Sequence, residues 1–363
     1  MDLRNILAQY KDRAENISKI QNIIFSCNVD NFEESKEAIL QSPDLLSREP
    51  FRHVLASLGV AFNTRPLDSD LIIKLILAVS TKAKEFFNQS ELYNIFCVDL
   101  SNFFLFQLIS NDIISFESLL YIPHNESDDF LVYFAPEFMT HQRIRYENEI
   151  KQLMTIDLEE HIVLRAQGVN DSRIAQCIRQ DIIDEFVDIV SRTNLPLDSK
   201  IPYSLYERCI YISDSPSIIE YAAFFGAVDI FKYLITNKVR PSSNLTYFAV
   251  AGGNIEIVHL CEQMKCDFSD AVDAALLFHR DEILDYIFGL GYEYTKKSFL
   301  ACIEGYNYGH FYNVFNDQTE CNNFTLYGDT PLIYSLKHMF AEFGIAFCSL
   351  SGVDFNRTDV VFI

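Results

Sequence analysis

The stretch that decides the fold is Ser-Ile-Ile-Glu-Tyr-Ala-Ala-Phe-Phe-Gly-Ala-Val-Asp-Ile-Phe-Lys-Tyr-Leu, residues 217–234. A short apolar segment with alanine at its centre is followed by Gly226, then by a second segment with apolar residues at Ile230, Tyr233 and Leu234. Apolar positions spaced i, i+3, i+4 mark one face of a helix. A glycine between two such segments can take the left-handed conformation that closes the first. The stretch therefore predicts a helical hairpin. The pattern then returns: Ala222 matches Ala249, Gly226 matches Gly253, Ile230 matches Ile257 and Tyr233 matches Leu260, each 27 residues on. A further step of 26 brings Ala275, His279, Ile283 and Tyr286 to the same places, and one of 28 brings Asn307, Phe311 and Val314. Repeats at such a period signal a solenoid whose hairpins bury their faces against their neighbours. The central alanine is expected where two hairpins stack, since a larger side chain would hold the backbones apart.

Working outward, an earlier degenerate unit is expected from Ser172, in Arg173–Arg179 and Ile182–Val190, followed by a proline-marked insertion from Asn194 to Pro216. The last unit reads Gly328-Asp-Thr-Pro-Leu-Ile-Tyr-Ser and ends in Gly352-Val-Asp-Phe-Asn. Thr330 offers a capping hydroxyl, and Pro331 suits a first helical position. These residues resemble the ankyrin repeat, whose pattern runs Thr-Pro-Leu-His-x-Ala and closes with Gly-Ala-Asp-x-Asn. More narrowly, residues 171–363 look like a divergent ankyrin family described mainly from protists, in which an N-terminal helical region precedes degenerate repeats. Residues 219–234 and Ala251-Gly-Gly-Asn-Ile-Glu-Ile-Val carry that similarity.

The resemblance implies an all-α fold, with an N-terminal helical domain over residues 1–170 and an ankyrin-like solenoid of about six units over 171–363. An ankyrin unit takes roughly 33 residues. The spacings here are 27, 26 and 28, then 32 from Ser298 to Thr330. Two helices and their turns fill roughly 26 residues by themselves, so the fingers that connect successive hairpins are expected to be short or missing in the middle units.

Residues 1–170 show no period but contain helical runs: Leu3–Phe25, Glu33–Gln41, Phe51–Leu58, Asp68–Phe87, Ser90–Ile109 and Pro136–Met154. Prolines at 43, 50, 66 and 123 mark breaks, and the polar stretch Pro123–Asp129 reads as a loop. The segment Leu71–Val79 is apolar on nearly every side, which predicts a buried helix.

Across 363 residues, 29 Lys plus Arg face 51 Asp plus Glu, a formal charge of −22. The excess is even: 15 basic and 25 acidic residues up to 170, then 14 and 26. Nucleic acid and anionic membranes need clustered cations, so neither is an expected partner. The first residues lack the apolar core of a signal peptide, and no run approaches the ~18–20 uncharged residues of a membrane span. Nine cysteines, scattered and without Cys-x-x-Cys, read as reduced thiols of a cytoplasmic protein.

No constellation carries chemistry on its own. The acidic pairs Asp128-Asp129, Glu159-Glu160, Asp184-Glu185 and Asp281-Glu282 read as solvated faces. Asp184, Asp229, Glu256 and Glu282 sit near the starts of second helices, where acids favour the positive end of the dipole. His259-x-Cys261-x4-Cys266 and Glu159-Glu160-His161 lack zinc-site spacing, and Cys261 aligns with the core positions Leu234 and Ile287. His279 replaces the turn glycine and reads as structural. No nucleophile motif or phosphate loop occurs, so neither a metal nor a cofactor is expected.

The leading expectation is a non-catalytic protein–protein interaction scaffold. Phe224, Leu277, Lys337 and Arg179 fall near the C-terminal ends of first helices, which in ankyrin-like stacks contribute to a concave groove, and are the candidate partner surface. A basic partner would suit the −22 charge. Two alternatives are an enzyme with its site in residues 1–170 and a degenerate, shortened family member. The second follows from the last repeat, which reads as uncapped and able to self-associate through that end.

Overall fold

The computed structural model describes residues 3–96, 101–119, 127–140, 144–212, 215–295 and 297–314, with Thr330, Leu332, Ile333, Ser335, Gly344, Cys348 and Asp354. It is all-α, with no strand among the described residues and only an isolated bridge between Lys200 and Ser217. The N-terminal part holds α1 (Leu3–Ser26), α2 (Phe32–Gln41), α3 (Arg48–Thr64), α4 (Ser69–Phe86), α5 (Gln89–Phe96) and α6 (Asn102–Ser110). The shorter helices α7 (Phe116–Leu119), α8 (Asp128–Tyr133), α9 (Ala135–Thr140), α10 (Ile144–Leu153) and α11 (Leu158–Gln167) follow. Pairs come next: α12 (Arg173–Arg179) with α13 (Ile183–Thr193), and α14 (Ile218–Phe225) with α15 (Val228–Thr236). The last pairs are α16 (Leu245–Gly252) with α17 (Ile255–Gln263), α18 (Ala271–Leu277) with α19 (Asp281–Gly289), and α20 (Ser298–Glu304) with α21 (Tyr308–Val314).

The chain forms two compact units, neither continuous in sequence. One comprises Met1–Val79, Asn94–Val98 and Ser243–Ile363, the other Ser80–Tyr93 and Asp99–Ser242. Residue 170, where the sequence suggests a boundary, lies inside the second unit. In that unit α12 packs on α13 and α14, and α15 on α13 and α14. In the first unit α16 packs on α17 and α18, α18 on α19 and α20, and α20 on α21, while α1 packs on α3 and α21.

The backbone carries the repeat in two series of left-handed residues. Within the hairpins Asp181, Gly226, Gly253, His279 and Tyr306 have φ between 51° and 82°. At the ends of second helices Asn194, Lys238, Lys265 and Gly291 lie between 49° and 93°. From Gly226 the first series steps by 27, 26 and 27 residues, and from Lys238 the second by 27 and 26. This corrects the final step read from the sequence. Tyr306, not Asn307, takes the turn position, and the step is 27. Asn307 instead caps: its Oδ1 accepts from the His310 N–H at 3.1 Å and its Nδ2 donates to the Leu276 carbonyl at 2.8 Å. The 27-residue step sets Phe311 with Leu284 and Val314 with Ile287, all buried.

The recurring positions are buried: Ala222, Ala249 and Ala275 wholly, as are Leu234, Cys261 and Ile287. The connections between hairpins hold no strand among the described residues. Side chains tie them to the preceding first helix. Ser242 Oγ donates to Glu220 at 2.6 Å, Thr246 Oγ1 to the Asp267 carbonyl at 2.7 Å, and Ser298 Oγ to Asp273 at 2.6 Å. Thr295 Oγ1 reaches the same Asp273 carboxylate at 3.0 Å. In the final unit the Thr330 hydroxyl accepts from the Ile333 N–H at 3.3 Å, as a cap should; most of that unit lies outside the described residues.

The N-terminal helices depart further from expectation. The run Ser90–Ile109 is two helices, α5 and α6, and Ser101 caps the second by accepting from the Phe104 N–H at 3.2 Å. The run Pro136–Met154 is likewise divided between α9 and α10. Of the expected loop, residues 123–126 lie outside the described residues, while Asp128 and Asp129 begin α8. In α4 only one face is buried (Ile72, Leu75, Ile76, Val79), and Lys74 is exposed. The helix buried all round is α3, from Phe51 to Thr64. Its polar residues hide that fact from a hydropathy reading; two of them are bonded inside, Ser57 accepting from Gln21 at 3.2 Å and Thr64 Oγ1 donating to the Val60 carbonyl at 2.9 Å.

Candidate functional site

Of the four residues named as a candidate partner surface, two are buried and the side chain of a third is nearly so. Phe224 and Leu277 are 2 % and 3 % exposed, so they form no open apolar patch. The cause at Leu277 is the next hairpin: a Cβ built on Gly305 would lie 2.6 Å from the Leu277 carbonyl oxygen, so the two backbones already touch. Arg179 is spent internally. Its Nη1 lies 3.1 Å from Glu207, its guanidinium lies 4.0 Å above the Phe225 ring, and Tyr221 donates to the same carboxylate at 2.9 Å. The side chains of this ion pair are 9 % and 3 % exposed, so it belongs to the core of its unit. Lys337 lies outside the described residues.

A concave feature sequence reading missed is a pocket of about 360 Å³ in the first unit, lined by Asn22, Phe25 and Ser26 of α1 and by Gly253 and residues 279–283. Its floor is built from hairpin turns. Gly253, at φ 82°, ends α16, and the Arg280 side chain lies directly across it: a Cβ there would stand 2.8 Å from the guanidinium carbon. Arg280 Nη2 and Nε donate to the Ala251 carbonyl at 2.9 and 3.1 Å, satisfying an acceptor that the helix end leaves open. Burial opposes the charge on Arg280, and the nearby Arg65 guanidinium opposes it further.

His279 forms one wall. Its ring stacks on Phe25 with centroids 3.5 Å apart and planes 9° from parallel. Its Nε2 lies 2.7 Å from the Gly305 carbonyl. A carbonyl only accepts, so Nε2 carries the hydrogen and Nδ1 keeps a lone pair. Burial pushes this imidazole down to about 4, with the Gly305 bond and the Asp281 charge acting the other way. Asp281 lies 3.3 Å from His310 Nε2, and the bond from His310 holds its carboxyl below the usual range. The pocket thus presents a neutral imidazole nitrogen, a guanidinium committed to backbone carbonyls and a carboxylate facing a histidine. His279 is legible as a turn residue; Phe25, more than 250 residues earlier, has no sequence signal.

The other motifs resolve into framework. His161 is fully buried: Nε2 donates to the Tyr133 carbonyl at 3.1 Å and Nδ1 accepts from the Tyr206 hydroxyl at 2.9 Å. Beside it Arg165 donates to Glu137 at 2.6 Å and lies 4.3 Å above the Phe106 ring. Asp184, Asp229, Glu256 and Glu282 occupy first turns of second helices. Asp181 adds a cap to one of these, accepting from the N–H groups of Asp229 and Ile230, both at 3.0 Å. Among the described residues no three His, Cys, Asp or Glu side chains converge as a metal site would require, and no helix is long and apolar enough to cross a membrane.

Comparison with protein-family models, with curated proteins and with solved structures gave no match in any of the three.

Proposed function

We propose that the chain is a non-catalytic protein–protein interaction scaffold built on ankyrin-like hairpins with reduced fingers. The observation that carries this reading is the paired series of left-handed turns at 26- and 27-residue steps, which matches helical hairpins stacked as repeats. Side-chain links from Glu220, Thr246 and Asp273 take the place that fingers hold in longer repeats. The step from such a stack to binding is an analogy with helical-hairpin solenoids, which present extended surfaces to other proteins.

The charge favours a basic partner. In the first unit Glu256, Glu262, Asp281, Glu282 and Asp285 are exposed on α17 and α19, and a one-sign surface steers oppositely charged proteins toward it. The buried, unpaired thiols of Cys27, Cys177, Cys209, Cys261 and Cys302 fit a reducing, cytoplasmic setting. The test is affinity capture from the native cell with the full chain, in parallel with a Glu262→Lys, Asp285→Lys double variant. A partner that co-purifies with the parent and is lost on charge reversal, with helicity unchanged, supports the reading. Identical capture by both proteins overturns the role given to the acidic ridge, and turnover of a small molecule by the purified chain overturns the scaffold.

A further inference from the structure

The C-terminal turns of the second helices share one closure. The N–H of Leu195 donates to the Val190 carbonyl at 3.2 Å, Val239 to Leu234 at 3.1 Å, Cys266 to Cys261 at 3.1 Å and Tyr292 to Ile287 at 3.4 Å. Each turn passes through a left-handed residue: Asn194, Lys238, Lys265 or Gly291. A six-residue closure of this kind sets the side chains of its first and last residues against each other, usually as an apolar contact. Three of the four pairs are apolar: Val190 with Leu195, Leu234 with Val239, and Ile287 with Tyr292. At the α17 turn both members are cysteines. Cys261 is wholly buried at the stacking face, and Cys266 is partly exposed.

We propose that Cys261 and Cys266 form a reversible dithiol–disulfide site, closed across this turn by a hydroperoxide. The framework supplies the geometry, because the backbone bond from Cys266 to Cys261 brings the two residues together in the reduced protein. It also divides the roles. Cys266 is the reachable sulfur: burial raises its thiol above the ordinary value and the bond from the Cys261 thiol offsets part of that rise, whereas burial pushes the Cys261 thiol up to about 12. The Cys266 thiolate attacks one peroxide oxygen, the O–O bond breaks, and the leaving hydroxide takes a proton to become water. The resulting Cys266 sulfenic acid is attacked by the Cys261 sulfur. The S–O bond breaks as the S–S bond forms, and the hydroxyl leaves as water with the proton from Cys261. Two thiols have lost two electrons and hydrogen peroxide has gained them. A small dithiol reverses the step by exchange.

Lys265 makes the test direct, because trypsin cleaves between the two cysteines. Residues 239–265 and 266–280 form two peptides, each with one cysteine. The reduced full chain is treated with hydrogen peroxide, blocked with an alkylating agent, digested without reductant and mapped by mass. The expected result is a linked pair of these peptides, separated by dithiothreitol and absent in Cys266→Ser. In Cys261→Ser, Cys266 should stop at the sulfenic acid and be trapped by dimedone. Recovery of both peptides unlinked and alkylated, in a sample where the exposed Cys348 has been oxidised, overturns the proposal. So does linkage of Cys266 to another cysteine in preference to Cys261.

Discussion

The hairpins of the first unit and the N-terminal helices that pack on them settle their helix ends by different means. In α16–α21 each turn closes on itself through a left-handed residue, or is tied to the preceding hairpin, as Arg280 donates to Ala251 and Asn307 to Leu276. In α1 and α3 the deciding bonds come from far along the chain. Gln21 donates to the Tyr306 carbonyl at 2.6 Å and accepts from the Tyr308 N–H at 3.2 Å, while His53 pairs with the Tyr306 hydroxyl. Local closure repeats and therefore leaves a period in the sequence. A bond made once, across 285 residues, leaves none.

The comparison can be broken from either side. The largest effect is expected at Arg179→Ala in the second unit, which strands the Glu207 carboxylate in the core and should cost about 3–5 kcal/mol in denaturant unfolding. On the other side, Gln21→Leu keeps the side-chain volume but removes the bonds to the Tyr306 carbonyl and the Tyr308 N–H. It should cost about 2–3 kcal/mol, and hydrogen exchange should quicken in α21 and α1 before α16. Uniform acceleration through all the hairpins would show that the N-terminal helices are not a separate layer of stability.

His279 belongs to both sides, being a turn residue that also meets α1. Its folded pKa lies near 4, below the ordinary 6.5, so between those values the unfolded chain binds the proton and the native state does not. Stability at His279 is complete above pH 6.5 and falls as pH drops toward 4, by up to about 3 kcal/mol. Glycine, the residue of the matching turns at 226 and 253, removes that slope. At neutral pH His279→Gly should still cost about 1 kcal/mol, because the loss of the Phe25 stack and the Gly305 bond outweighs relief of the left-handed backbone. Denaturant titrations at pH 4.5 and pH 7 measure both quantities.

Much of the hairpin region was legible because the demands on each position recur. Alanine where helices cross, glycine where φ turns positive and acids at second-helix starts appear in the sequence before any coordinates. The register slipped by one at the fourth unit because Tyr306 adopts the left-handed turn without glycine or asparagine to announce it, while Asn307 beside it looks like the natural turn residue. The partner surface failed for another reason. Phe224 and Leu277 entered the candidate partner surface because a single hairpin cannot show what its neighbour covers, and Arg179 entered it because Glu207, 28 residues away, is not seen beside it in the sequence. In α3, His53, Ser57 and Thr64 disguised a buried helix, since polar residues are tolerated inside once their partners are in place.

The smallest effect is also the most direct test. Two successive residues at the end of α17 differ in the one property on which the repeat depends: Met264 is right-handed at φ −75°, and Lys265 is left-handed at φ 59°. Glycine should stabilise the chain at Lys265 by about 0.5–1 kcal/mol and destabilise it at Met264 by a similar amount. Unfolding free energies of Lys265→Gly and Met264→Gly, measured side by side against the parent, decide the matter. Opposite signs in that order confirm the register of the turns, whereas a loss at Lys265 or a gain at Met264 would contradict it.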